Sequence, residues 1–405
     1  MKAKVLMFGW EFPPHNSGGL GTACLGLTRA MSQEGVDITF VLPKKVPVSS
    51  DFIKIKFAGL EKVNFKTVNS ILSPYLTSET YGALRDRVGG DLYGNTLMEE
   101  VLRYSELAKD IALNTDHDVI YAHDWLCFGA GMAAKKVSGK PLIVQVHATE
   151  FDRCGGENGI NRQVYEMEKM GMKEADHIVA VSNLTRNIII KHYGISPEKV
   201  SVVHNGIDES TAPSGGGEGK LLAIKKAGYK IVLFLGRITL QKGPDYFLKT
   251  AKKVLEYNPK VMFVMSGSGD MERKMMEEAA KLNIADKVLF TGFLRGKEQH
   301  DAYSMADLFV MPSVSEPFGI TPLEAMQVGT PVLISRQSGV SEVVKHALKT
   351  DFWDVDDMTD KILSVVGHEA LKKSLSHNAK REVSGITWKK AAEKVIGIIR
   401  KFFHF

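Results

Sequence analysis

Residues 313–326, Ser313-Val314-Ser315-Glu316-Pro317-Phe318-Gly319-Ile320-Thr321-Pro322-Leu323-Glu324-Ala325-Met326, follow the short apolar run Leu308 to Met311 and its stop at Pro312. Such a run bounded by Pro reads as a buried strand. Thr321-Pro322-Leu323-Glu324 then has the T-x-x-E form of a capping box with Pro at the first helical position, so a helix is expected to begin there. Strand, Gly-containing turn and helix in immediate succession make the repeating unit of a parallel α/β sheet. As a cap, Glu324 is accounted for by its own helix. Glu316 is not, and Gly319 would let backbone approach a ligand closely. A helix N-terminus at the carboxyl end of a parallel strand points free N–H groups outward, where a phosphate or diphosphate can bind.

Working outward, the same signature recurs. Ile231 to Leu235, Val261 to Met265, Val288 to Phe290 and Val332 to Ile334 form one series with Leu308 to Met311. Val5 to Gly9, Ile38 to Leu42, Val119 to Ala122, Leu142 to Val146, Ile178 to Val181 and Val200 to Val203 form another. Two α/β sheets covered by helices follow, one per half of the chain. A length of 405 residues agrees, since it suggests two domains of roughly 200 residues. Between the series lie His204-Asn205-Gly206-Ile207-Asp208 and then the most Gly-rich stretch, Ser214-Gly215-Gly216-Gly217-Glu218-Gly219, which together set the boundary near residue 205. Residues 45 to about 95 show no clear periodicity. A last helix around Trp388 to Phe402 carries Trp388, Ala391, Ala392, Val395 and Ile399 at helical spacing, so it packs on something.

Composition excludes several classes. With 44% hydrophobic and 24% charged residues the chain reads as soluble and globular. The net charge of +5 is not clustered, against a nucleic-acid partner. No apolar run approaches the roughly 20 residues of a membrane span, and the start is too short for a signal-peptide core. Cys24, Cys127 and Cys154 are three and far apart, so free thiols in a cytoplasmic, reducing location are expected.

Further motifs sit at strand ends. Ile231 to Leu235 opens into Gly236-Arg237-Ile238-Thr239-Leu240-Gln241-Lys242-Gly243, where two cations between glycines suit a leaving diphosphate. Singly, each would be a solvated surface charge. The first strand leads to Gly18-Gly19 at a helix start, either a backbone nest or a plain strand-to-helix turn. His123-Asp124-Trp125 and His147-Ala148-Thr149-Glu150 end neighbouring strands and could floor a substrate crevice, although a lone strand-end His is more often structural. Gly267-Ser268-Gly269 lacks the third glycine of a dinucleotide fingerprint, with Glu272 in its place, which disfavours a dehydrogenase. Asp354-Val355-Asp356-Asp357 could hold a divalent ion, but an N-cap at Asp356 or Asp357 is the cheaper account.

Together, Gly18-Gly19, His123-Asp124-Trp125, His147, Gly236-Arg237 with Lys242-Gly243, and Glu316-Pro317-Phe318-Gly319 through Glu324 resemble the retaining glycosyltransferases of the glycogen and starch synthase group, families GT4 and GT5. The resemblance implies the GT-B fold, two facing Rossmann-like domains with an interdomain cleft and a C-terminal helix crossing back to the first. Expected domains are 1–205 on the acceptor side, 206–385 for the nucleotide-sugar, and 386–405 as the returning helix. It also implies transfer of glucose from ADP- or UDP-glucose to the non-reducing end of an α-1,4-glucan, with no obligatory metal and no bound cofactor. A GT4-type transferase, sucrose-type or mannosyl, making a small glycoside is the alternative. An inactive GT-B binding protein comes third. By position, the resemblance puts Arg237 and Lys242 on the diphosphate, Phe318, Gly319, Ile320 and Thr321 around a phosphate, Glu324 on the ribose and Glu316 on the transferred sugar. Asp124 and His147 would line the sugar and acceptor side, with Gly18 and Gly19 closing over the phosphates. One departure concerns the donor: the group commonly has Lys two residues before the glycine pair, where this chain has Asn16.

Overall fold

A computed structural model describes residues 3–12, 19–43, 63–68, 81, 95–208 and 219–402. The chain divides into two compact units: Met1–Glu150 with Gly159–Gly206 and Trp388–Phe405, and Phe151–Asn158 with Ile207–Thr387.

The first unit holds strands β1 (Lys4–Phe8), β2 (Asp37–Pro43), β3 (Val63–Val68), β4 (Val119–His123), β5 (Leu142–Val146), β6 (His177–Ala180) and β7 (Val200–Val202). They form one sheet in the order β3-β2-β1-β4-β5-β6-β7, every pairing parallel. All residues of β4 and β5 are buried, because helices cover both faces of such a sheet. That is why these strands read as unbroken apolar runs rather than alternating ones. β3 lies in the stretch without periodicity: as an edge strand of sequence VNFKTV it lacks the apolar run that marks the inner strands.

The second unit holds β8 (Lys230–Leu235), β9 (Val261–Ser266), β10 (Val288–Gly292), β11 (Leu308–Met311), β12 (Val332–Ser335) and β13 (Leu348–Thr350). Its order is β10-β9-β8-β11-β12-β13, again all parallel, with β13 a three-residue edge that the apolar-run search passes over. Renumbered within the unit this is 3-2-1-4-5-6, the doubly wound order of a Rossmann-like domain. The order reverses between β8 and β11, and in the first unit between β1 and β4. Ligands of such sheets bind outside the carboxyl ends of the strands at that reversal.

The helix Trp388–Arg400 returns to the first unit and packs on the helix Gly19–Gln33. Trp388, Ala391, Ala392, Val395 and Ile399 are its buried face. Gly26 has no side chain because a Cβ there would overlap the Trp388 indole. The excursion Phe151–Asn158 is not visible in the sequence: it lies inside the stretch expected to be continuous first domain, yet groups with the second unit.

Candidate active site

In the second unit, the loop after β8 and the loop after β11 flank the point where strand order reverses. Gly243 adopts φ +65°, and a Cβ on it would run into the Pro312 carbonyl, so a glycine is what lets the two loops touch. That contact brings Lys242, at the end of the short 3-10 turn Leu240–Lys242, onto Glu316. The Lys242 ammonium and the Glu316 carboxylate form an ion pair with side chains 21% and 8% exposed, enclosed enough to limit screening by solvent. Ser313 Oγ donates to the same Glu316 oxygen at 3.2 Å. The Glu316 backbone is fixed by N–H donation to Gln337 O and by the Gly339 N–H to its own carbonyl, both 2.9 Å. Ser315 Oγ donates to Asp152 at 2.6 Å, so the excursion from the first half helps hold this loop. Arg237 donates through Nη2 to Gln241 at 3.0 Å. Lys242 and Glu316 stand 74 residues apart in the sequence, and the fold makes them one group.

The helix after the loop corrects the capping-box reading. It runs Thr321–Val328 with Ile320 at the N-cap in a helical conformation, Pro within its first two positions, and no side-chain cap. Thr321 is thus already helical, so its hydroxyl is not placed to cap, and the Glu324 N–H bonds the Ile320 carbonyl at 3.1 Å. Glu324 turns instead to the helix Lys297–Met305, where Tyr303 Oη donates at 2.8 Å and Gln299 Nε2 at 2.9 Å, both to Oε2. Burial raises the Glu324 pKa from its ordinary value, and these two donors act against the rise. Gly319 has φ +98°, with Glu316 Cγ and Met311 Cε each 3.2 Å from where a Cβ would stand. Its glycine is required by the turn itself. Phe318 is buried and its carbonyl accepts from Val340 N–H at 2.7 Å.

In the first unit, β4 and β5 deliver His123 and His147 side by side, Nδ1 of the first 3.0 Å from Nε2 of the second. Burial pushes His147 down to about 3, and burial followed by the neighbouring His147 pushes His123 down as well, so both rings are neutral near pH 7. Asp124 sits at φ 57° and ψ 173°, a strained conformation for a residue with a side chain. The strain aims its carboxylate across to β5, where Oδ1 accepts from His147 N–H at 2.6 Å and Ala148 N–H at 3.4 Å. Asp124 therefore positions His147. Gly19 is the exposed first residue of its helix, and a Cβ added to it would meet no atom of the described residues within 4 Å; Gly18 lies outside those residues.

The remaining motifs are structural. Gly267 and Gly269 are glycines because the loop after β9 runs against the carbonyls of Gly236 and Ile238. The helix Val355–Gly367 is capped by Asp354, which accepts from Asp357 N–H at 2.9 Å, rather than by Asp356 or Asp357. Asp356 pairs with Lys253, and Asp357 with Lys361. Among the described residues, no helix is long and apolar enough to cross a membrane.

The architecture is similar to that of sucrose-phosphate synthase from Thermosynechococcus elongatus, with a TM-score of 0.77 over 99% of either chain at 18% identity. Residues 17–211 match the family model described as Glycosyltransferase Family 4, and residues 223–382 match Glycosyl transferases group 1. The chain belongs to the GT-B glycosyltransferases of the GT4 type. Its relatives include an uncharacterized glycosyltransferase of Methanocaldococcus jannaschii, 29% identical over 98% of both chains. A glycogen synthase of Mycobacterium tuberculosis is 26% identical over 84% of this chain and 80% of its own length. In this glycosyltransferase, Gln299, Tyr303, Ser313 and Gln241 escaped the sequence reading. Gln299 and Tyr303 are four apart on one helix face, a visible spacing, but only the tertiary fold brings that face to Glu324.

Proposed function

We propose that this glycosyltransferase moves glucose, with retention, from ADP- or UDP-glucose to the non-reducing end of an α-1,4-glucan. The observation that carries the reading is the Lys242–Glu316 pair beside a helix start that no side chain caps. Transfer builds negative charge on the departing diphosphate and positive charge on the sugar. Lys242, Arg237 and the N–H groups near Gly319, Ile320 and Thr321 would meet the first, and Glu316, joined to Lys242, would lie beside the second. Lys242 would turn from carboxylate to phosphate as donor binds, releasing Glu316 toward the sugar. Glu324 would take the ribose hydroxyls through Oε1, since its Oε2 is held by Tyr303 and Gln299. Gly18 and Gly19 would close on the phosphates, and His147, positioned by Asp124, would face the sugar and acceptor. With two cations and a helix terminus at the leaving group, no metal ion is required. The glycogen synthase relative supports the glucan acceptor. A cytoplasmic location fits the buried free thiols of Cys24 and Cys127.

Incubation of the purified protein with labelled ADP- or UDP-glucose and a maltooligosaccharide is expected to give elongated chains with new α-linkages, undiminished by EDTA. Absence of elongation, with reaction of another donor and a small acceptor, would replace this reading by its alternative, a sucrose-type or mannosyl transferase. Asn16, where the resemblance leads one to expect Lys, makes ADP-glucose the weaker of the two donors.

A further inference from the structure

The first unit contains a set of side chains that glycosyl transfer does not use as a set. Cys24 on the helix Gly19–Gln33, and His123 and His147 at the ends of β4 and β5, bring one sulfur and one nitrogen from each ring within 4.8 Å of one another. No other His, Cys, Asp and Glu grouping among the described residues is close enough to share an ion. The 3.0 Å separation of His123 Nδ1 and His147 Nε2 is near the edge, about 3.3 Å, that two imidazole nitrogens span on a tetrahedral ion with bonds of about 2.0–2.1 Å. Closing the sulfur onto such an ion asks for a shift on the order of 1 Å.

His123 is fully buried, and among the described residues its Nε2 has no hydrogen-bond partner, so its ring contact there is through Nδ1, to the His147 ring that would share the ion with it. His147 is partly exposed and provides the way in.

We propose that Cys24, His123 and His147 form a binding site for a thiophilic divalent cation of the zinc class, and that filling it inhibits transfer. Cys24 gives up its proton to solvent as the sulfur–metal bond forms, and both imidazoles bind neutral. Three protein ligands leave a fourth position open to water, unlike a closed four-ligand structural site. Inhibition rests on the sugar-facing role proposed above for His147, because a metal-bound His147 is withdrawn from the sugar.

The test is titration of chelator-treated full-length protein with Co2+, which reports thiolate ligation by a near-ultraviolet charge-transfer band. One equivalent is expected to bind, with the band abolished by Zn2+, by Cys24→Ser and by His147→Gln, and kept in Cys127→Ser. Far-UV circular dichroism checks that each variant folds. Stoichiometric Zn2+ is expected to slow wild-type transfer at least tenfold and to change the Cys24→Ser rate less than twofold. A wild-type chain without the band, or a band that survives in folded Cys24→Ser, overturns the site. A band lost as expected, with Zn2+ leaving transfer unchanged, upholds the site and overturns the role of His147 in transfer.

Discussion

Glu316 and Lys242 neutralise each other across two loops, and the proposed chemistry needs them to part. If they act on donor, Glu316→Gln and Lys242→Ala each lower kcat by about 100-fold or more while the fold survives, which steady-state kinetics with a thermal melt will separate. A pair that serves only to join loops would lower the melting temperature and leave kcat alone. The histidines predict a pH effect of defined sign. Unfolded His takes up a proton near pH 6.5, whereas His147 in the folded chain, largely withdrawn from water, stays neutral until about 3, so the unfolded state binds more protons in that window. Stability is therefore expected to fall as pH drops from about 6.5 toward 3. His147→Gln, which does not titrate, should flatten the dependence of melting temperature on pH, and an unchanged slope would contradict the burial described. Most of these residues were legible as candidates because strand ends in parallel sheets are marked by turn residues. Their pairings were not, since Lys242 with Glu316 and Asp124 with His147 are tertiary facts.

At the scale of elements, inner strands announced themselves and edge strands did not. β3 and β13 lie at sheet margins, where mixed or very short sequences suffice, whereas β4 and β5 must be apolar throughout. The Thr321–Val328 helix shows how a local motif can mislead: T-x-x-E is present, but the helix starts at Thr321 itself and Glu324 is claimed by a neighbouring helix. Tyr303→Phe removes one of two donors to Glu324, and a lost hydrogen bond of about 1 kcal/mol should raise KM for the nucleotide-sugar about fivefold with kcat little changed. Loss of kcat alone would place Tyr303 elsewhere in the cycle. Asp307, just before β11, has a fully buried carboxylate that pairs with Lys225 and Lys372 and accepts from Ile231 N–H at 2.8 Å. Burial raises its pKa, but these partners outweigh burial and leave it lowered. Its stabilisation is present above the ordinary Asp value and lost as pH falls through the lower folded one. Asp307→Ala strands two lysines and is expected to cost about 3 kcal/mol in urea unfolding, against nearly nothing for an exposed pair such as Arg273–Glu277.

For the whole molecule, the doubly wound sheets and the apolar last helix were both readable, because strand runs and helical spacing repeat along the chain. The excursion Phe151–Asn158 was not, since nothing in its local sequence says which core it joins. The returning helix makes its own prediction. Gly26→Ala pushes a methyl into Trp388 and should destabilise the first unit by about 1–3 kcal/mol, while Gly19→Ala, whose methyl meets no atom of the described residues within 4 Å, should stay within about 0.5 kcal/mol. Equal effects would mean that Trp388 does not lie on Gly26. The same helix sets an order of events at the ribosome. All of Ile207–Thr387 is synthesised before Trp388–Arg400 emerges, so the nascent chain carries an uncovered face around Gly26 throughout that interval. The second unit has its strands in hand earlier, and the first, although translated first, is the one that must wait.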